Sequence, residues 1–226
     1  MQKEQLLFDF IEWIFLWVFF WGVFKLFLLK HIDYIKHYLL TSLYFLFVTV
    51  IIAYIFKNDL VDIFSRFSII PLIVLGITII FHIVLYLYIS KYIKEPKNYF
   101  ELHPDRQYLS LNFKRLFSKS VDILAQQIFI ILLAVFLQSA GLNLVQTILI
   151  FAAIFGLAHV PLIFIENSWH SWYFTFSAIL SAVAFPVLII EIPYGFVYSY
   201  IVHWLFYTIT AIGFWIVYKK EHPENS

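Results

Sequence analysis

The stretch VDILAQQIFIILLAVFLQ, residues 121–138, carries a single charged side chain, Asp122, among mostly apolar residues. A helix needs ~20 mostly apolar residues to cross the hydrocarbon core of a bilayer. This stretch is at the short limit of that length, and six other stretches of the chain also qualify. The predicted spans lie near residues 6–29, 38–56, 69–90, 121–138, 144–165, 173–190 and 196–218.

The composition of the whole chain indicates the same architecture. Of its 226 residues, 63% are hydrophobic, 22% are aromatic and only 13% are charged. A soluble domain is nearer to ~45–50% apolar and ~25% charged, so this chain has too little polar surface to cover a water-soluble globule. We therefore predict an all-α fold, a polytopic transmembrane helical bundle of about seven spans.

Charge and cysteine content exclude several classes of function. The formal net charge is +1, which gives no electrostatic support for binding nucleic acid. The chain has no cysteine, so disulfides, thiol nucleophiles and cysteine-ligated metal centres are excluded.

The basic residues predict the orientation of the helices. With seven spans, eleven of the 15 Lys and Arg residues lie on one side of the membrane, three lie on the other, and Lys25 lies inside the first span. Basic residues are enriched in cytoplasmic loops. We therefore expect the N-terminus outside and the C-terminus in the cytoplasm. The small size and the lack of a targeting signal favour a plasma membrane.

The charge pattern divides the chain into four regions. Residues 1–90 form a three-span region, 91–120 a basic cytoplasmic connector, 121–218 a four-span core and 219–226 a cytoplasmic tail. The end of the connector, YLSLNFKRLFSKS at 108–120, mixes apolar and basic residues. Either an amphipathic helix on the inner leaflet or an ordinary basic loop fits this pattern.

Three helices of the core region each carry a pair of residues four positions apart, which places both members on one helix face. The pairs are Asp122 and Gln126, Phe155 and His159, and His203 and Tyr207. Ionisable groups inside a membrane are costly and are therefore functional candidates. The pattern predicts an intramembrane site, and the alternative is interhelical hydrogen bonding worth ~1 kcal/mol or less per contact.

The residues around these pairs resemble the motifs of a known family. FGLAHVP at 155–161 is similar to the FxxxH motif of the CPBP family of intramembrane proteases, which includes the CAAX prenyl endopeptidases. His203 lies in a late span, as the family's HxxxN motif does, and QQIFII at 126–131 takes the place of the EExxxR motif. The resemblance covers approximately residues 115–215.

The resemblance implies an intramembrane endopeptidase in which the first Glu of EExxxR activates water, the histidines assist and the Asn of HxxxN helps to hold the oxyanion. Gln126 and Gln127 stand at the positions of the two glutamates, and Ile131 stands at that of the arginine. Because a glutamine cannot accept a proton, the general base of the family is missing. Tyr207 replaces the asparagine and can still donate to an oxyanion.

Another carboxylate is available to act as the base. Asp122 lies one turn, ~5.4 Å, before Gln126, and Glu166 follows the fifth predicted span. With either carboxylate, His159 and His203 would also supply the three protein ligands that a catalytic zinc needs. The two histidines are therefore candidate metal ligands, and zinc is a candidate cofactor.

Three functions stay open. The chain is an endopeptidase acting on transmembrane or prenylated proteins, a catalytically inactive pseudoprotease that binds a membrane partner, or a small transporter. The transporter would use Asp122, His159 and His203 as a proton relay, but no inverted repeat supports it. The expected partners are membrane lipid and a transmembrane or prenylated protein, and no nucleic acid.

Overall fold

The structure is a computed structural model that describes residues 2–65, 68–96, 99–166 and 169–221. Within these ranges it does not describe the side chains of residues 2, 3, 62, 64, 65, 104, 105, 161, 162, 165, 166, 169 and 170. Every regular element in the described ranges is helical, and none is a strand. The predicted all-α class is confirmed.

The helices follow one another with short connections. The α-helices of the described ranges are α1 (Gln2–Leu29), α2 (Tyr38–Ile55), α3 (Lys57–Ser65), α4 (Ile69–Tyr92), α5 (Tyr99–Leu102), α6 (Phe113–Ser139), α7 (Leu144–Glu166), α8 (Trp169–Glu191) and α9 (Gly195–Glu221). A 3₁₀ helix, Pro104–Leu109, lies between α5 and α6.

Six of the described helices are long and apolar enough to cross a membrane. They are α1, α2, α4, α6, α8 and α9. A further helix, α7, is apolar as well. The part of it whose side chains the structure describes without a gap, Leu144–Val160, is shorter than the other six helices. The chain is thus a multi-pass membrane protein.

Burial separates α6 from the other five long membrane helices. In its most apolar 18-residue stretch 72% of the residues are buried, against 17–28% in the others. The exposed residues of the others include large apolar side chains such as Phe8, Phe47 and Phe81, which suit contact with lipid. Because α6 is surrounded by protein, its polar side chains need partners within the protein.

The start of α6 differs from the predicted start of the fourth span. The helix begins at Phe113, so residues 113–120, which the sequence assigned to the connector, form its first two turns. Asn112 caps this end, because its Oδ1 accepts a hydrogen bond from the backbone N–H of Lys114 at 2.9 Å. The basic residues of this segment therefore belong to a membrane helix.

The chain divides into two compact units. Unit 1 comprises Met1–Trp17, Ile55–Phe67 and Gln127–Ser199, and unit 2 comprises Val18–Tyr54, Ser68–Gln126 and Tyr200–Ser226. In unit 1, α7 packs along α8. The indole Nε1–H of Trp13 donates to the carbonyl of Phe129 at 3.0 Å, which attaches the first part of α1 to the second half of α6.

In unit 2, aromatic side chains join α4 and the connector to α9. The ring of His82 stacks on that of Trp204, with 3.9 Å between the ring centres. Trp215 is 1% exposed, and its Nε1–H donates to the carbonyl of Leu109 at 2.7 Å. The ring of Tyr99 packs edge-on against Trp215. The connector is therefore anchored to the last helix through Trp215.

We expect Trp215→Phe to lower the free energy of unfolding by about 2 kcal/mol, because it leaves the buried carbonyl of Leu109 without its donor and leaves space beside it. Unfolding by SDS in mixed micelles, followed by far-UV circular dichroism, measures this change. The control is Trp172→Phe, since Trp172 is 57% exposed and its replacement should cost less than about 0.5 kcal/mol. Equal losses in the two variants would contradict the anchoring role.

Candidate functional site

Asp122 is the centre of a buried polar cluster in unit 2. Its side chain is fully buried, and both of its carboxylate oxygens accept hydrogen bonds. Oδ2 accepts from Lys119 Nζ at 2.6 Å and from the hydroxyl of Tyr34 at 2.9 Å. Oδ1 accepts from Nε2 of Gln126 at 2.8 Å. The carboxylate is thus neutralised by an ion pair and has a donor on each oxygen.

Helix geometry supplies two of these partners. Lys119 precedes Asp122 by three residues and Gln126 follows it by four, so all three side chains lie on one face of α6. The predicted pairing of Asp122 with Gln126 on one helix face is confirmed by their hydrogen bond.

The third partner, Tyr34, comes from the connection between α1 and α2. Asp33 shapes this connection, because its Oδ1 accepts from the backbone N–H groups of Ile35 and Lys36. The hydroxyl of Ser118 donates to the backbone carbonyl of Tyr34 at 2.9 Å. Two hydrogen bonds therefore hold this connection against the first turns of α6.

The hydroxyl of Tyr34 stays protonated and donates its hydrogen bond to Asp122. Burial raises the pKa of its phenol well above the usual value, and the negative charge of Asp122 and the hydrogen bond to that carboxylate raise it further. The hydroxyl therefore keeps its proton over the physiological range of pH and goes on donating to Asp122.

Lys119 extends the cluster toward α9. Its Nζ lies 4.1 Å from the centre of the Tyr207 ring, within the range of a cation–π interaction. The ring of Tyr207 lies beside that of His203, with 5.5 Å between the centres. A continuous series of contacts in unit 2 thus joins four predicted site residues through Lys119. They are Gln126, Asp122, Tyr207 and His203.

Unit 1 contains the other predicted site residues. Nδ1 of His159 lies 2.7 Å from the carbonyl oxygen of Phe155, one turn earlier, and the two rings are 4.8 Å apart. Since a carbonyl can only accept, Nδ1 carries the proton in this contact and Nε2 is the basic nitrogen. Gln127 is buried, and its Nε2 donates to the hydroxyl of Ser199 at 2.7 Å.

The predicted set is therefore divided between the two units. Asp122, Gln126, His203 and Tyr207 belong to unit 2, and His159 belongs to unit 1. The expected convergence of His159 with the other residues stays a prediction. Glu166 is the last residue of α7, and its side chain lies outside the described part of the structure.

The structure also bears on a metal site. Among the described residues, no three His, Cys, Asp or Glu side chains come together closely enough to hold a metal ion. Asp122, which the sequence offered as a third zinc ligand, is engaged by Lys119 instead. The described part of the chain therefore has no ready three-ligand zinc site of the kind that catalysis needs.

A cavity of about 550 Å³ lies elsewhere in unit 1. It is lined by α3, the end of α6 and the turn between α8 and α9, with Asp59 and Glu191 among its polar residues. Burial raises the pKa of Asp59, and the charge of Asp9 raises it further. None of the predicted site residues lines this cavity.

Sequence reasoning missed Lys119 and Tyr34. Lys119 was counted among the charges of a cytoplasmic connector, and Tyr34 was one of 15 tyrosines. Opposite charges three residues apart in a helix can form an ion pair, and Lys119 and Asp122 have this spacing. The spacing predicts their ion pair only if the helix already includes Lys119, as α6 does because it begins at Phe113. For Tyr34 the sequence carries no such signal.

Comparison of the chain with protein-family models, with curated proteins and with solved structures found no match. The resemblance to the CPBP motifs therefore rests on the residues quoted for it.

We expect Lys119→Met to lower the free energy of unfolding by about 3–5 kcal/mol, because it leaves the carboxylate of Asp122 buried without its counter-charge. The double variant Lys119→Met/Asp122→Asn should lose less than the sum of the two single variants, since the uncompensated charge is gone. SDS unfolding in mixed micelles measures all three.

The matched control for this cycle is Lys114→Met, which removes an exposed lysine from the same helix. Its cost should stay below about 1 kcal/mol. If Lys119→Met and Lys114→Met destabilise the protein equally, the ion pair does not hold this part of the fold together.

Proposed function

We propose that the chain is a multi-pass membrane protein with a CPBP-like core, residues 121–218, that binds a membrane partner and does not hydrolyse it. The observation that carries this proposal is the state of Asp122. Its carboxylate is the one described acidic group on the same helix face as Gln126, and Lys119, Tyr34 and Gln126 occupy both of its oxygens. The pseudoprotease is thus preferred over the active endopeptidase.

Hydrolysis inside a membrane needs a base that can reach a water molecule and take its proton. Asp122 is fully buried and paired with Lys119, so water has no access to its oxygens in this arrangement. At the positions that match the two glutamates of the family motif, Gln126 and Gln127 act as hydrogen-bond donors, to Asp122 and to Ser199. The contact of Gln126 lies within α6 and satisfies the carboxylate of Asp122, whereas the contact of Gln127 joins α6 to α9. Neither glutamine can activate water, because an amide cannot take its proton.

The partner we propose is a lipid, or a transmembrane or prenylated protein in the plasma membrane. Large apolar side chains near His159 on α7 are exposed, with Leu157 at 66% and Phe164 at 82%. Exposed apolar surface on a membrane helix is available to lipid chains or to another apolar segment.

We expect no cleavage when the purified protein is reconstituted in liposomes with reporter peptides that carry a transmembrane segment or a prenylated C-terminus. Product formation is measured by mass spectrometry over several hours. His159→Ala and His203→Ala should leave this result unchanged, because the resemblance implies that the histidines only assist a carboxylate base, and Asp122 is paired with Lys119.

The matched control is His37→Ala, which removes an exposed histidine outside the core. Cleavage by the unmodified protein that is lost in His159→Ala and kept in His37→Ala would establish the endopeptidase and overturn the proposal. Binding of the same peptides, measured by crosslinking to the reconstituted protein, is the activity that the proposal expects.

We also propose seven spans, with α7 as the fifth, the N-terminus outside and the C-terminus in the cytoplasm. Contacts in unit 2 support this topology. The connection before α2 contacts the start of α6 through Tyr34 and Ser118, and Lys219 Nζ near the end of α9 approaches the carbonyl of Tyr92 at 3.4 Å. The topology assigns all of these segments to the cytoplasmic side.

Contacts in unit 1 support the topology independently. Asn58 of α3, Ser139 at the end of α6 and Ile192 after α8 line the same cavity. If α7 did not cross the membrane, the end of α6 and the turn after α8 would lie on opposite sides. Their proximity therefore favours a membrane-crossing α7.

Labelling of single cysteines tests the topology, since the chain has none of its own. With a membrane-impermeant maleimide on intact cells, Asn143→Cys and Ile192→Cys should be labelled, and Lys220→Cys should be labelled only after permeabilisation. All three positions are exposed. Six spans without α7 would instead protect Ile192→Cys and expose Lys220→Cys.

A further inference from the structure

Arg115, the third residue of α6, is buried with its hydrogen bonding incomplete. The side chain is 1% exposed, and Nη1 donates to the hydroxyl of Tyr86 at 2.8 Å. Nε and Nη2 have no hydrogen-bond partner in the part of the chain that the structure describes. Because a guanidinium keeps its charge in proteins and unmade hydrogen bonds to a buried charge are costly, this group indicates a missing partner.

The geometry of the guanidinium indicates which kind of ligand could bind to Nε and Nη2. Nε–H and Nη2–H lie on the same edge of the planar group, and together they form a fork that binds two oxygens of one carboxylate or phosphate. The bond from Nη1 to Tyr86 fixes the plane of the group and so the direction of this fork. The open edge therefore fits a single oxyanion.

Three buried or partly buried carboxylates of unit 2, those of Asp33, Glu95 and Asp122, have other partners. Asp33 accepts from the backbone N–H groups of Ile35 and Lys36. Glu95 accepts from the hydroxyl of Ser110 at 3.0 Å and from the backbone N–H of Leu111, which holds the connector together. Burial raises the pKa of Glu95, while these two hydrogen bonds and the positive charge of Arg115 oppose that rise. Asp122 is paired with Lys119.

The charge around Arg115 favours an anion with more than one oxygen to share. The first turn of α6 adds the partial positive charge of a helix N-terminus to the charge of Arg115 itself. Backbone N–H groups at helix N-termini and arginine forks both bind phosphate in proteins.

We propose that Arg115 binds a phosphate group at the start of α6, with Nε and Nη2 donating to two of its oxygens. The phosphate belongs to a lipid headgroup or is free inorganic phosphate. Because Arg115 is buried, entry of the ligand requires the side chains that cover it to move aside. This site is independent of the proposed loss of hydrolysis, since it uses none of the residues assigned to the protease-like motifs.

Thermal unfolding of the purified protein in a phosphate-free maltoside detergent tests the proposal. One arm titrates inorganic phosphate at constant ionic strength, with chloride as the reference anion. The other arm titrates short-chain phosphatidic acid, with a neutral diacylglycerol of the same chain length as the reference. A saturable rise of the melting temperature is expected in at least one arm, and the arm that responds identifies the source of the phosphate.

Three variants connect the response to Arg115. Arg115→Lys keeps the charge and removes the fork, so the apparent affinity should fall at least about tenfold. Tyr86→Phe keeps the fork and removes the group that orients it, so a smaller loss of about threefold or more is expected. Lys114→Gln removes an exposed charge from the same turn and should change the affinity less than about threefold.

The absence of a saturable shift in both arms would overturn the proposal. So would an equal loss of affinity in Arg115→Lys and Lys114→Gln, because that result would mean attraction of anions to charge alone. Should Arg115→Lys fail to fold, the comparison of Tyr86→Phe with Lys114→Gln decides. An affinity in Tyr86→Phe equal to that of the unmodified protein would then count against the site.

Discussion

The ion pair between Lys119 and Asp122 is the interaction on which the polar part of this structure depends. A bilayer core offers no water to charged or polar groups, so every such group in a helix surrounded by protein needs a partner there. α6 is this kind of helix, with 72% of its most apolar stretch buried. The pair cancels both charges, and Tyr34 and Gln126 occupy the remaining hydrogen-bonding positions of the carboxylate.

This ion pair gives Asp122 a structural role that is incompatible with a catalytic one. A carboxylate that activates water has to keep an oxygen free and in contact with solvent, whereas a carboxylate that stabilises a buried helix has to be paired and shielded. Asp122 meets the second description. Gln126 and Gln127 also make structural contacts. Their side-chain amides donate hydrogen bonds, whereas carboxylates at these positions would accept them. Under the proposed function, these protease-like positions therefore have structural roles: Gln126 satisfies Asp122 within α6, and Gln127 joins α6 to α9.

Lys119 and Arg115 lie one turn apart on α6, and the two cations differ in how many partners they find in the protein. The ammonium of Lys119 is compact and finds a carboxylate, a tyrosine ring and a second ring within reach. The guanidinium of Arg115 presents five N–H groups in a fixed plane, and Tyr86 satisfies one edge of it only. The two cations therefore differ in how completely the described part of the chain satisfies them, and the one with open donors is the arginine.

Composition and the length of apolar runs determined the all-α, multi-pass class, because only helices satisfy their own backbone groups in lipid. They also placed α2 and α4 within two residues of their observed ends, and helical periodicity placed Asp122 beside Gln126. Tertiary structure alone decided that α6 begins at Phe113 and that two of its basic residues, Arg115 and Lys119, are buried. The reason is that two of the partners that hold this part of α6, Tyr86 beside Arg115 and Tyr34 beside Asp122, come from distant parts of the chain. Tyr86 is 29 residues from Arg115 and Tyr34 is 88 residues from Asp122, separations at which local spacing carries no information.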